Sequence, residues 1–152
     1  MKRTPFKRKV QKSLRRTKLR LVGHSDTSVV KRAIQAILRQ IAIKRDGGCV
    51  LARFSAQVGA CDEILQAEHL NSRASSSTYA DTRNIVCLCR RHHIYWKPQN
   101  SRLYWELIRS VIGEERWAWY ILASEDKRPH HMCKGDWVMA QKALEQELQT
   151  YA

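Results

Sequence analysis

The stretch Arg83-Asn84-Ile85-Val86-Cys87-Leu88-Cys89-Arg90-Arg91-His92-His93 is the most informative segment of the chain. Its apolar, β-branched middle, Ile85 to Leu88, has the length of a short strand, and Arg90 to Lys97 reads as a short helix ending at Pro98. At the junction, Cys89 and His92 have the two-residue gap that lets both side chains reach one ion from a tight turn. Around this junction, four of the five cysteines and three of the six histidines fall between Cys49 and His93. Zinc takes thiolate and imidazole ligands in closed four-ligand structural sites, and Cys49, Cys61, Cys89 and His92 form such a set. Eleven residues separate Cys49 from Cys61, a hairpin rather than a knuckle, so Cys87 stands as the alternative to Cys61. A bound zinc would add folding free energy to a chain of 152 residues with room for one modest core.

A second pattern is interleaved with the cysteines: Glu68-His69, then Asn84 fifteen residues after His69, then His93 nine residues after Asn84. An imidazole such as His69, with an ordinary pKa of about 6.5, is able to take a proton from water. Glu68 and His93 offer a carboxylate and an imidazole to a divalent cation, which would offset negative charge on a scissile phosphate and its leaving oxygen.

Upstream, Val30, Ala33, Ile34, Ile37, Leu38 and Ile41 recur at three- and four-residue steps, which predicts one amphipathic helix over 28–45. His24-Ser25-Asp26-Thr27 reads as its start and Asp46-Gly47-Gly48 as its stop. Residues 49–69 predict two or three short strands, and the polar segment from Asn71 to Asn84 a loop. Downstream, a helix capped by Asn100-Ser101 should end at Gly113, followed by a helix over 114–123 and a last one capped by Asp136. Trp105, Trp117, Trp119 and Trp137 read as core residues, and His130-His131-Met132-Cys133 as a surface loop. The expected organisation is a basic arm over 1–22 and a single domain over 23–152, with its core at 49–97 and a helical part at 100–150.

The net charge of +14 is unevenly placed: ten cations and no acid lie between Met1 and Arg20, leaving 18 cations against 14 acids in the rest. Such an arm suits a polyanion, and each phosphate it neutralises releases condensed counterions. Lys7, Arg8, Lys9, Arg15 and Arg16 lie in this arm, and Arg90, Arg91 and Lys97 add cations beside the cysteine cluster. No apolar run reaches 18 residues and no secretory pattern is present, so neither a membrane partner nor export is expected. Five cysteines in such a chain point to metal ligands or reduced thiols in a cytoplasmic setting.

In order, Ala67-Glu68-His69-Leu70, the loop, Arg83-Asn84 through His93, and Lys97 resemble an HNH endonuclease of the zinc-containing ββα-metal type. More narrowly, residues 28–122 resemble the phage NinG (Rap) recombination endonucleases, with a helix before the first cysteine, an Ala-x-His strand, an Arg-Asn-Ile step and a helix ending like Ile112-Gly113. The resemblance implies an α+β fold with a small ββα core and structural Zn2+. It also implies metal-dependent cleavage of DNA with Mg2+ or Mn2+, possible action on branched recombination intermediates, and a bacterial host cytoplasm. By the same resemblance His69 is the general base, Glu68 and His93 are catalytic-metal ligands, and Asn84 braces the loop and orients the base. The chain departs from the family in the stretched first cysteine pair, in His92 at a cysteine position, and in Glu68 where Asp is usual. His92 and His93 are adjacent, and helix register decides which serves which metal. The rival expectations are a non-catalytic zinc-containing nucleic-acid-binding module and a packaging or structural partner; a monomer and a dimer are both compatible with the sequence.

Overall fold

In the computed structural model, residues 24–126, 128 and 130–151 are described; the basic arm with Lys7, Arg8, Lys9, Arg15 and Arg16 lies outside them. The apolar periodicity upstream becomes α1 (His24–Asp46), whose Ile34, Ile37, Leu38, Ile41 and Ala42 are buried. The helix starts four residues before the expected position, so His24-Ser25-Asp26-Thr27 lies inside it. Gly47, with φ of 68°, ends it in the left-handed region that glycine adopts without a Cβ clash.

The expectation of two or three strands over 49–69 is corrected to one. A tight 3-10 turn (Ala52–Phe54) and a single-turn α2 (Ser55–Val58) precede β1 (Leu65–His69). Burial of Leu51 and Val58 against the core favours this compact path over an extended one, since it tucks both apolar side chains inward within a few residues. Two strand-like contacts remain outside β1 in this segment: Val50 donates its N–H to the Cys87 carbonyl at 2.9 Å, and the Ile64 carbonyl accepts from the Arg90 N–H at 2.7 Å.

β1 pairs antiparallel with β2 (Ile85–Cys89) in a register from Leu65 opposite Cys89 to His69 opposite Ile85. Every residue of β2 is buried. Val86 and Leu88 join a core with Leu51, Val58, Tyr104 and Ile108, while Ile85 and Cys87 join a second with Ile34, Leu38, Ile41, Tyr79 and Trp137. Burial on both faces accounts for the uninterrupted apolar run, since neither face meets water.

A π-helical segment (Arg91–Trp96) follows β2 and continues into α3 (Lys97–Gln99). Pro98 lies in the last turn of this continuous helical run, which ends at Gln99, one residue beyond the expected stop. Asn100 makes no side-chain cap on the next helix; its Nδ2 donates backward to the Trp96 carbonyl at 3.0 Å. α4 (Ser101–Glu125) bends at Gly113, where φ is 79°, giving the two expected helical pieces. α5 (Lys134–Gln149) packs along α1, burying Trp137 and Leu144. Its cap is Cys133, and Asp136 sits three residues in, accepting from the Cys133 N–H at 2.7 Å, so the expected cap residue closes the box from its other end. Trp137 is core as expected, and Trp105 packs at the edge of the other cluster; Trp117 and Trp119 are half-buried. The result is an α+β fold of five helices and one two-stranded antiparallel sheet among the described residues.

Candidate functional site

The end of β2 and the turn after it place Cys89 and His92 against Cys49, which follows α1, and Cys61, which follows α2. Their ligand atoms all lie within 4.8 Å of one another. His92 Nδ1 stands 3.4 Å from Cys49 Sγ, 3.6 Å from Cys61 Sγ and 3.2 Å from Cys89 Sγ. An ideal tetrahedron with zinc–sulfur and zinc–nitrogen bonds of ordinary length has nitrogen–sulfur edges of about 3.6 Å. The donor set and its spacing therefore fit a structural zinc ion. Burial pushes the Cys49 thiol up, and burial together with the neighbouring Cys49 pushes Cys61 to about 12, so without a cation these two favour the protonated thiol.

Cys61, not Cys87, completes the set. Residues two apart on a strand share a face, so alternation alone would leave Cys87 beside Cys89. The strand ends at Cys89 and the chain turns into the helix there, which carries Cys89 to the Cys49 side while Cys87 stays packed towards α1. The long gap between Cys49 and Cys61 is spanned by the Ala52–Phe54 turn and α2.

On the other side of the same turn, His93 meets β1. Its Nε2 lies 2.6 Å from Glu68 Oε2, and its Nδ1 is 2.7 Å from the side-chain amide oxygen of Gln66. Gln66 and Glu68 are two apart on β1 and so share the face that looks at the helix, a partnership that strand periodicity could have revealed. Lys97 donates to the other Glu68 oxygen. The buried carboxylate thus gives the ammonium a partner inside the protein. Burial alone would raise the Glu68 carboxyl, but donation from His93 and Lys97 overrides it and holds the group below its usual range.

His69, the next residue, is buried and shares a hydrogen bond of 3.3 Å between its Nε2 and the Tyr79 carbonyl. A carbonyl only accepts, so the neutral ring carries its proton on Nε2 and keeps the Nδ1 lone pair. Burial lowers its pKa, with the cation of Arg73 adding to the effect, against the Tyr79 carbonyl and Glu68, which raise it. The loop that supplies this carbonyl is held by Asn84, which is fully buried. Its Oδ1 accepts from the Asn71 N–H at 2.6 Å, and its Nδ2 donates to the carbonyls of Thr78 at 2.9 Å and Asn71 at 3.3 Å. Asn84 thus sets the carbonyl beside the one that orients His69. Two arginines that sequence reasoning missed fix the segment around Asn84 in turn. Arg45 donates to the Thr82 and Ile85 carbonyls, each at 2.7 Å, and Arg116 donates to the Arg83 carbonyl at 2.7 Å and also to that of Ile85.

Arg90 and Arg91 are exposed beside the cysteine cluster; Arg90 pairs with Asp62 at 3.3 Å, and the same carboxylate accepts from the Arg91 N–H at 3.0 Å. His130 pairs with Asp126 at 3.2 Å, and no other group of three or more His, Cys, Asp or Glu side chains converges on one point among the described residues. No described helix is long and apolar enough to cross a membrane. Comparison of the chain with protein-family models, curated proteins and solved structures finds no match.

Proposed function

We propose that the chain is a metal-dependent DNA endonuclease of the HNH type, built on a zinc-stabilised ββα core. The observation that supports this most is the pairing of two adjacent β1 residues with distinct tasks. His69 keeps an acceptor nitrogen in its neutral form, and Glu68 stands against His93. Cis ligands on a magnesium ion are about 3 Å apart, close to the 2.6 Å between Glu68 Oε2 and His93 Nε2, so the pair fits such an ion once their mutual hydrogen bond is given up. A bound Mg2+ or Mn2+ would supply charge neutralisation at the phosphate and at the leaving 3′ oxygen. His69 Nδ1 takes a proton from water as the water oxygen bonds to phosphorus, and the bond from phosphorus to the 3′ oxygen breaks. Asn84 keeps the loop, and through it the imidazole, in position during this transfer. Action on branched recombination intermediates is the narrower form of this proposal and rests on the NinG resemblance.

Incubating the protein with Mg2+ or Mn2+ and with linear, single-stranded, flapped and four-way DNA tests both levels. His69→Ala should abolish cutting while zinc content stays intact; full activity in that variant removes the proposed base. Equal cutting of all substrates rejects the branched-DNA form alone. A zinc-containing module that holds nucleic acid without cleaving it is the second reading. It is favoured by the ion pair of Lys97 with Glu68, which already occupies one carboxylate oxygen, and it predicts DNA binding without turnover under either ion.

A further inference from the structure

We propose that Arg39 and Arg73 form a clamp for the sugar-phosphate backbone of the DNA strand presented to His69. A groove of about 480 Å3 runs alongside the site, lined by Arg39 of α1, Gln66 of β1, Arg73 of the loop, and His93 of the following helix. The two arginines come from elements far apart in sequence and reach one concavity, so they are more than a solvated helix face. Neither has an ion-pair partner among the described residues, whereas Arg83, Arg90, Arg102, Arg109 and Arg128 each pair with a carboxylate. Arg39 is anchored by its Nε, which donates to the Leu65 carbonyl at 2.8 Å. That bond holds the guanidinium at the groove wall with its terminal nitrogens still able to donate, and a fixed planar fork suits phosphate oxygens. The charge of Arg73 acts on both His69 and Tyr79. Ile64 and Ile94, 43% and 47% exposed, also line the groove and offer apolar contact to sugar faces. Two cations lining one groove together with His93 are the arrangement a phosphodiester strand needs to be held beside the site.

The proposal rests on the nuclease reading for where the strand is cut, and on the groove alone for where it binds. Full-length protein is titrated with a fluorescent DNA duplex at several salt concentrations, without added Mg2+ or Mn2+. Each of Arg39→Ala and Arg73→Ala is expected to reduce the slope of log affinity against log salt by about 0.9, and the double variant by about twice that. Arg39→Lys and Arg73→Lys should keep most of the slope, since the charge remains. Zinc content and thermal midpoint, measured on all variants, should match the parent because both residues are exposed. An unchanged slope in the double variant overturns the clamp, even if the parent cuts DNA. A reduced slope supports it, even if the parent fails to cut under any divalent ion, an outcome that would instead remove the nuclease reading.

Discussion

The Nε2 of His92 donates to the Val58 carbonyl oxygen at 3.2 Å, and this bond decides which ring nitrogen faces the three thiols. Since a carbonyl only accepts, Nε2 carries the proton and the Nδ1 lone pair points into the cysteine cluster. α2, a single turn with no Cys or His of its own, thereby becomes the outer support of the candidate metal centre.

Removing one ligand should separate structural zinc from incidental thiols. His92→Ala and Cys61→Ser are expected to lose zinc and to destabilise the fold by several kcal/mol, since binding free energy is folding free energy at such a site. Cys87→Ala should keep a full complement and lose only about 1 kcal/mol from the core. Metal per chain by elemental analysis and thermal denaturation check both. Zinc retention by Cys61→Ser with loss in Cys87→Ala would reverse the assignment.

The pH dependence follows from His69. Burial lowers its folded pKa below 6.5, so as pH falls the unfolded chain takes the proton first. Stability from this group is therefore whole above about pH 6.5 and declines as pH drops from there through the folded value. If His69 is the base, the acid limb of kcat/KM lies below pH 6.5, and Arg73→Gln, which removes a nearby cation, shifts it upward. A limb above 6.5 in the parent contradicts a base of lowered pKa.

Asn84→Ala should loosen the loop rather than the strands. It leaves the Asn71 N–H and carbonyl without their partner and the Thr78 carbonyl with only the Asp81 N–H at 3.3 Å, at a cost of about 2–4 kcal/mol. Hydrogen exchange at Asn71 should rise well above that at Val86 and Leu88, with zinc still bound. Uniform loss of protection would show that Asn84 supports the whole fold.

Deleting residues 1–20 removes ten cations. DNA binding should weaken and its salt slope flatten, while the rate of any cleavage at saturating DNA stays within a few fold of the parent. A collapse of the saturated rate would show that the arm takes part in the chemistry.

Local pattern was enough for several features. The α1 stripe is legible because Ile34, Ile37, Leu38 and Ile41 bury one helix face, and β2 because its run is buried on both sides. The cluster of Cys49, Cys61, Cys89 and His92 was legible as a set, since thiol and imidazole chemistry admits few other uses at that density. The choice between Cys61 and Cys87 was not, because it depends on where the strand ends and turns, which side-chain types do not encode. Residues 49–64 were misread as strands because their apolar clusters suit either state, and packing of Leu51 and Val58 decided between them. The partnership of Lys97 with a buried carboxylate was not legible either, because it joins residues 29 apart on different elements. The support for His69 lies in the Tyr79 backbone, and a carbonyl leaves no mark on residue identity. Composition and spacing thus determined which chemical groups the chain carries, and the tertiary structure decided which of them meet. A helix face or a strand is set by neighbours in sequence, whereas a metal centre or a base and its orienting carbonyl require approach between segments that only the packed core brings together.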